Sequence, residues 1–186
     1  MREGVCVPVV TFKKRVRDES IGGDNPFKWQ DFTTKEIFLG QRVLVFSLPG
    51  AFTPTCSTYQ VPRFEELYDE IIAEGIDQVY VLSVNDTFVM RKWMVDQNVQ
   101  KIDFIPDGNG DFTRQLGMLV EKCNLGFGPR SWRYAMVVDE GKIEKWFEEP
   151  GREDNCDSDP YGETKPEKIL EYLRGYDSDS GLTESL

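Results

Sequence analysis

The chain is 186 residues long, with 33 acidic against 22 basic side chains for a net charge of −11, and it contains four cysteines but no histidine. Lacking histidine, it cannot build a Ser-His-Asp triad, a Cys-His dyad, a histidine-ligated zinc site or a haem on a proximal imidazole, so any chemistry must run on Cys, Lys, Arg, carboxylates or hydroxyls. The acidic excess argues against nucleic acid as the main partner, and no apolar run reaches the ~18 residues of a membrane span.

Residues 5–12 read as an N-terminal strand. They follow Glu3 and precede the basic run Lys13-Lys14-Arg15-Val16-Arg17, so they do not make a signal peptide, and the basic run reads as a solvated strand or hairpin. A short irregular strand is expected over 27–32, then a brief helix over 35–39 capped by Thr33 or Thr34. Residues 42–48 are almost continuously apolar, the pattern of a central strand covered on both faces. Beyond a PGAFTPTC loop, Val61, Phe64, Leu67, Tyr68, Ile71 and Ile72 recur at helical spacing, and Pro62 predicts a kink near the first turn.

A second buried strand is expected over 78–84, a helix over 88–96, a short strand over 103–106, a turn over 107–110 and a short helix over 112–119. Residues 134–138 and 142–147 form a hairpin around Glu140-Gly141. Thr164-Lys165-Pro166-Glu167 reads as a capping box opening a helix to Leu173. From Gly175 the sequence is small, polar and acidic, which gives one domain over 1–174 and a disordered acidic tail over 175–186. Strands separated by helices, then a hairpin and a closing helix, imply an α/β layered domain.

The cysteines stand at positions 6, 56, 123 and 156 with no C-x-x-C pair, so neither a zinc ribbon nor a thioredoxin-type dithiol is available. Scattered thiols without an export signal suit a reducing, cytoplasmic compartment. The informative segment is Leu48-Pro49-Gly50-Ala51-Phe52-Thr53-Pro54-Thr55-Cys56-Ser57. It leaves a buried strand, turns on Pro-Gly and delivers Cys56 to the first turn of a helix, where backbone N–H groups and the helix dipole favour a thiolate. Thr53 lies three residues earlier, where its hydroxyl could bond the sulfur or an oxygen of a substrate. With no histidine as base, activation must come from helix N–H groups and positive charge, an arginine being the natural donor. On these residues alone the segment reads equally as a reactive thiol or as an inert buried cysteine in a Pro-Gly turn.

Pro49, Thr53 and Cys56 match the P-x-x-x-T-x-x-C signature of peroxiredoxins, and the longer LPGAFTPTCS resembles the type-5 subfamily, which includes bacterial glutaredoxin-fused members. Three further blocks agree in order: residues 82–90, 104–110 and 126–134. The resemblance runs from about Val7 to Leu173. It implies a thioredoxin-like fold, a central mixed sheet flanked by helices with an N-terminal strand extension, and thiol-dependent reduction of hydrogen peroxide and alkyl hydroperoxides without metal or prosthetic group. Carried over, Cys56 is the peroxidatic thiol that becomes sulfenic acid. Thr53 holds the peroxide, Pro49 closes the pocket, and Arg133 stabilises the thiolate and the oxygen pair being split. Arg130 is left as surface charge. A homodimer through loops around the site is a further implication.

Type-5 relatives regenerate the thiol in two ways. Some use a second cysteine and thioredoxin, and others use glutathione, often with glutaredoxin. Cys156 lies near the position of the resolving cysteine, but its segment is longer and strongly acidic, with six acidic side chains from Glu148 to Asp159 against Arg152. Negative neighbours make a thiol a slow attacker. The Asp159-Pro160-Tyr161-Gly162 run resembles the glutathione-dependent members, which favours the one-cysteine mechanism, with resolution by Cys156 as the alternative. Cys6 reads as a small core residue and Cys123 as a loop bystander. A reading of another class is a redox-sensing or chaperone-like interaction protein that uses Cys56 as a switch.

Overall fold

The computed structural model describes residues 2–175, so the expected acidic tail lies outside the described residues apart from Gly175. The basic run falls in β1 (Thr11–Arg17), which pairs antiparallel with β2 (Phe27–Thr33) from Thr11 opposite Thr33 to Arg17 opposite Phe27. This hairpin takes the place of the strand expected over 5–12. Pro8 has no N–H to give to a ladder, and residues 5–10 run irregularly, with a bridge between Cys6 and Lys142 and with Val10 buried and accepting from Thr34 N–H at 3.0 Å. The strand over 27–32 is regular rather than irregular. Its end runs into α1 (Thr34–Phe38), where Thr33 and Glu36 form a reciprocal capping box.

Next comes β3 (Arg42–Ser47), central in a five-stranded sheet. A helical stretch follows, with a widened π-type turn at Cys56–Gln60 leading into α2 (Val61–Glu66) and α3 (Tyr68–Ala73). The kink expected at Pro62 takes this form. Proline cannot donate to the carbonyl four residues back and its ring crowds it, and the backbone just before it is widened so that Val61 N–H reaches Cys56 O. Then β4 (Gln78–Ser83) pairs parallel with β3, α4 (Thr87–Asp96) starts at an Asp86 cap, and β5 (Asp103–Pro106) pairs parallel with β4.

The helix expected over 112–119 is shorter, α5 (Asp111–Gln115). Gly117, at φ +69°, takes the left-handed conformation that terminates it, and Leu119 opens a strand that sequence alone did not reveal. This is β6 (Leu119–Glu121), paired with β7 (Pro129–Ser131). The expected hairpin is β8 (Tyr134–Asp139) and β9 (Lys142–Glu148), with β8 antiparallel to β3, and the chain closes on α6 (Pro166–Leu173). The capping box expected at α6 does not form. Thr164 turns its hydroxyl to the buried Glu149 carboxylate instead, at 3.0 Å, and Lys165 stands at the cap without a side-chain bond.

Strand order β5-β4-β3-β8-β9, with mixed polarity and helices on both faces, is a thioredoxin-like arrangement. Because side chains alternate along a strand, β3 feeds two separate cores. Val43 and Val45 join Phe38, Phe112, Trp132 and Cys156 on one face. Leu44 and Phe46 join Cys56, Phe64, Trp93 and Ile169 on the other.

An ion pair ties the sheet to α6. Arg42 donates to Glu144 from Nε and Nη2 at 2.9 and 2.6 Å, and Tyr172 donates to the same carboxylate at 2.7 Å. These bonds, Arg42 first, hold the Glu144 carboxyl below its ordinary value. A depressed carboxylate adds stability that is complete above its unfolded value and is lost as pH falls through the folded one. Glu144→Gln is therefore expected to lower stability at neutral pH by about 1 kcal/mol and to lose less than the parent between pH ~5 and ~3, read from urea midpoints.

Candidate active site

The site grows from the end of β3. Pro49 and Gly50 are buried where the chain leaves the sheet. A Cβ at Gly50 would meet the Arg130 guanidinium at 2.9 Å and the Thr53 methyl at 3.2 Å, so the glycine lets both groups pack closely against the loop. Arg130 is thus half-buried against the active-site loop rather than free surface charge, and burial makes its proton easier to lose. Asn85 accepts from Ala51 N–H at 3.0 Å and from Ser83 at 2.6 Å, fastening the loop to the end of β4. Phe52 stands at φ +63°, a conformation that non-glycine residues adopt at a price in strain.

Thr53 donates its hydroxyl hydrogen to Gly50 O at 2.7 Å, and its carbonyl accepts from Ser57 N–H at 3.0 Å. With that hydrogen engaged by Gly50 O, the hydroxyl oxygen is left as an acceptor rather than a donor to sulfur. Cys56 itself is fully buried, in the core that holds Phe64 and Trp93. Behind it, the Trp93 indole donates to Ser57 Oγ at 2.9 Å, which pins the helix by the residue next to the thiol.

Arg133 arrives from the opposite direction, at the junction of β7 and β8. Its side chain is 1% exposed. Nη1 donates to Cys56 Sγ at 3.5 Å and also to Gln60 Oε1, while Nη2 meets Asp159 Oδ1 at 2.6 Å. Tyr161 lies with its ring 5.5 Å from the guanidinium carbon. Burial works against the charge and is outweighed by the Cys56 sulfur and the Asp159 carboxylate, so Arg133 holds its proton more tightly than a free arginine. A sulfur and an acceptor hydroxyl from the stretch after β3, met by a buried cation from the β7–β8 junction, form a setting for attack on a polarisable O–O bond.

The redoxin family model matches residues 26–163, most of the chain. A peroxiredoxin of Sinorhizobium fredii is 59% identical over 172 residues, covering 92% of both chains. The chain belongs to the peroxiredoxin family. The hybrid peroxiredoxin hyPrx5 of Haemophilus influenzae is 50% identical over 171 residues, 92% of this chain and 66% of that one. Among solved structures, the Plasmodium falciparum antioxidant protein, described as a 1-Cys peroxiredoxin, superposes with a TM-score of 0.86 at 36% identity, covering 93% of this chain and 99% of that one.

Of the residues that the sequence of this peroxiredoxin singles out, the fold brings Arg133 to Cys56, while Pro49 and Thr53 lie on the stretch that leads to the thiol. The sequence did not point to Gln60 and Asp159, the other two partners of Arg133. Gln60 had a signal: four residues after Cys56, it lies one turn along the same helix face. Asp159 had none in local sequence. The remaining cysteines divide sharply. Cys156 is 7% exposed in the core on the far face of the sheet from Cys56, with Ser158 Oγ at 3.3 Å. Cys6, expected in the core, is exposed, because residues 5–10 only skirt the sheet edge. Cys123 is exposed too, and the Glu121 carboxylate 3.4 Å away, with burial and Asp154 adding, raises its thiol above the usual value. Among the described residues there is no group of three or more Cys, Asp or Glu placed to hold a metal.

In a Cys56→Ser variant, a bulky aromatic disulfide reagent should label Cys6 and Cys123 in the folded protein and reach Cys156 only as the chain unfolds. Labelling of Cys156 at the rate of the exposed thiols would contradict its burial.

Proposed function

We propose that this chain, a thiol peroxidase of the peroxiredoxin family, works with Cys56 as its single redox cysteine and draws electrons from glutathione, through glutaredoxin. The observation that carries this reading is the sheet itself. Cys56 and Cys156 belong to cores on opposite faces, so a disulfide between them requires one to leave its core. The segment before Cys156 is also fastened: Asp154 accepts from Glu121 N–H at 2.8 Å, and Asn155 accepts from Asn124 N–H at 3.0 Å.

In the peroxide step the Cys56 thiolate attacks one oxygen of the hydroperoxide. An S–O bond forms as the O–O bond breaks, and the leaving oxygen takes a proton to become water or an alcohol. Arg133 stabilises the thiolate and the negative charge that grows on the oxygen pair, the role a preorganised cation plays in a dry site. Thr53 accepts from the peroxide O–H, and Pro49 keeps bulk water from the loop. The sulfenic acid is then attacked by a glutathione thiolate, releasing water and leaving a mixed disulfide that a second thiol reduces.

A relative described as a 1-Cys peroxiredoxin, and a hybrid relative of which the match covers 66%, are consistent with such a route. The second reading, an intramolecular disulfide reduced by thioredoxin, needs the 153–158 segment to detach. A sensor or chaperone-like role predicts one oxidation per chain without turnover. We place the enzyme in the cytoplasm and as a homodimer joined near the site, where Phe52 is exposed.

Cys156→Ser is expected to keep turnover of tert-butyl hydroperoxide with glutathione and glutaredoxin within about twofold of the parent. Collapse of that turnover, with thioredoxin supporting the parent, would establish Cys156 as resolver. Arg133→Lys retains charge but loses the planar fork, so the second-order rate with peroxide should fall by about 10² or more with the fold intact by circular dichroism. An unchanged rate would remove Arg133 from the chemistry.

A further inference from the structure

Arg133 is a full positive charge in a pocket closed to water, and a buried charge needs a charged partner. Among the described residues its one carboxylate partner is Asp159, at 2.6 Å from Nη2. Gln60 is neutral, and Cys56 carries charge only as thiolate. Nε of the same guanidinium is buried without a partner, as is Nε2 of Gln60. The fork is therefore held by few bonds, and the one on Nη2 fixes its plane.

Asp159 stands in an unusual position to do this. Its side chain is 45% exposed while the arginine it grips is 1% exposed, so the carboxylate spans the boundary between water and the buried site. The segment that carries it is pinned at both ends. Upstream, Asp154 and Asn155 are bonded to the backbone of Glu121 and Asn124. Downstream, the buried Glu149 carboxylate accepts from the N–H groups of Gly162, Glu163 and Thr164 at 2.8, 3.1 and 2.9 Å. A loop fastened in this way gives its carboxylate a fixed location rather than a range.

We propose that Asp159 is a positioning residue for the peroxide step, holding the Arg133 guanidinium in the plane that aims Nη1 at Cys56. This rests on the thiol peroxidase reading, with Cys56 as the attacking sulfur. The same contact has an electrostatic consequence: Asp159 and the Cys56 thiolate share one cation. The guanidinium therefore faces a carboxylate on Nη2 and the sulfur on Nη1. The other titratable group against Arg133 is Tyr161, whose phenol burial pushes up, with Glu167 and Glu149 adding to the shift and Arg133 opposing it. It stays neutral across the working range, which leaves Asp159 as the charge that shares the guanidinium with the thiolate.

Two variants separate geometry from charge. Asp159→Ala removes both, and Asp159→Asn keeps an oxygen that accepts from Nη2 while losing the charge. Stopped-flow oxidation by hydrogen peroxide should slow about tenfold in Asp159→Ala, and Asp159→Asn should return to within about threefold of the parent. Alkylation of Cys56 by iodoacetamide, which has no O–O bond for the guanidinium to stabilise, should not slow in parallel with the peroxide rate in Asp159→Ala, scored on peptides so that Cys6 and Cys123 do not contribute. Equal peroxide rates in parent and Asp159→Ala, or a parallel loss of alkylation and peroxide rates, would overturn the proposal while leaving the peroxidase reading intact. A parent chain that fails to react with peroxide at all would overturn both. Because Asp159 is the carboxylate partner of a buried guanidinium, Asp159→Ala is expected to unfold at a lower urea midpoint than the parent and Asp159→Asn to lose less, with both folded by circular dichroism in the buffer of the rate assay; loss of fold in both would overturn the proposal by marking the residue as structural.

Discussion

Burying a guanidinium beside a thiol is the constraint on which the site depends. Stripped of water, Arg133 is tolerable only where oxygen or sulfur acceptors meet it, and it finds them on three separate stretches of chain. Cys56 and Gln60 come from the widened turn after β3, and Asp159 from the loop between β9 and α6. The arginine itself sits where β7 gives way to β8. Each of these must be in place before the charge is acceptable, so the site and the fold stabilise one another. In exchange the sulfur lies in a region where a cation acts with little screening. A chain without histidine thereby sets a cation against its buried thiol.

The sheet adds a second constraint. β3 is covered on both faces, so everything near it is assigned to one core or the other. Cys56 and Trp93 fall on one side, Cys156 and Trp132 on the other. The Trp132 indole donates to Glu149 O at 2.8 Å, and the Glu149 carboxylate organises residues 162–164. The far core thus helps hold the loop that reaches back to Arg133 without bringing Cys156 to the site. Separation of the thiols is a property of the central strand, not of an insertion or a lid.

Much of this was legible in the residues, and the parts that were not have physical reasons. The continuous apolar runs of β3 and β4 gave the sheet, and the Pro49-Thr53-Cys56 spacing gave the loop, because both are local patterns. Arg133 was reached through resemblance, since nothing local tells one arginine from the neighbouring Arg130. Cys6 was misplaced because apolar neighbours look alike in a strand and in a segment running along a sheet edge, and Pro8 was the clue against a ladder. The Thr164 capping box failed because a buried carboxylate far away in sequence competed for the same hydroxyl. Asp159 could not be found at all from local sequence. It acts only across the fold.

The most direct test of the account is the chemical state of the protein after a single equivalent of hydrogen peroxide, without reductant and with dimedone present, read by peptide mass spectrometry. Separation of the thiols by the sheet predicts a dimedone adduct on Cys56, with Cys156 still a free thiol. A Cys56–Cys156 disulfide as the main product would contradict it, since the two cores would then have to open on the timescale of catalysis.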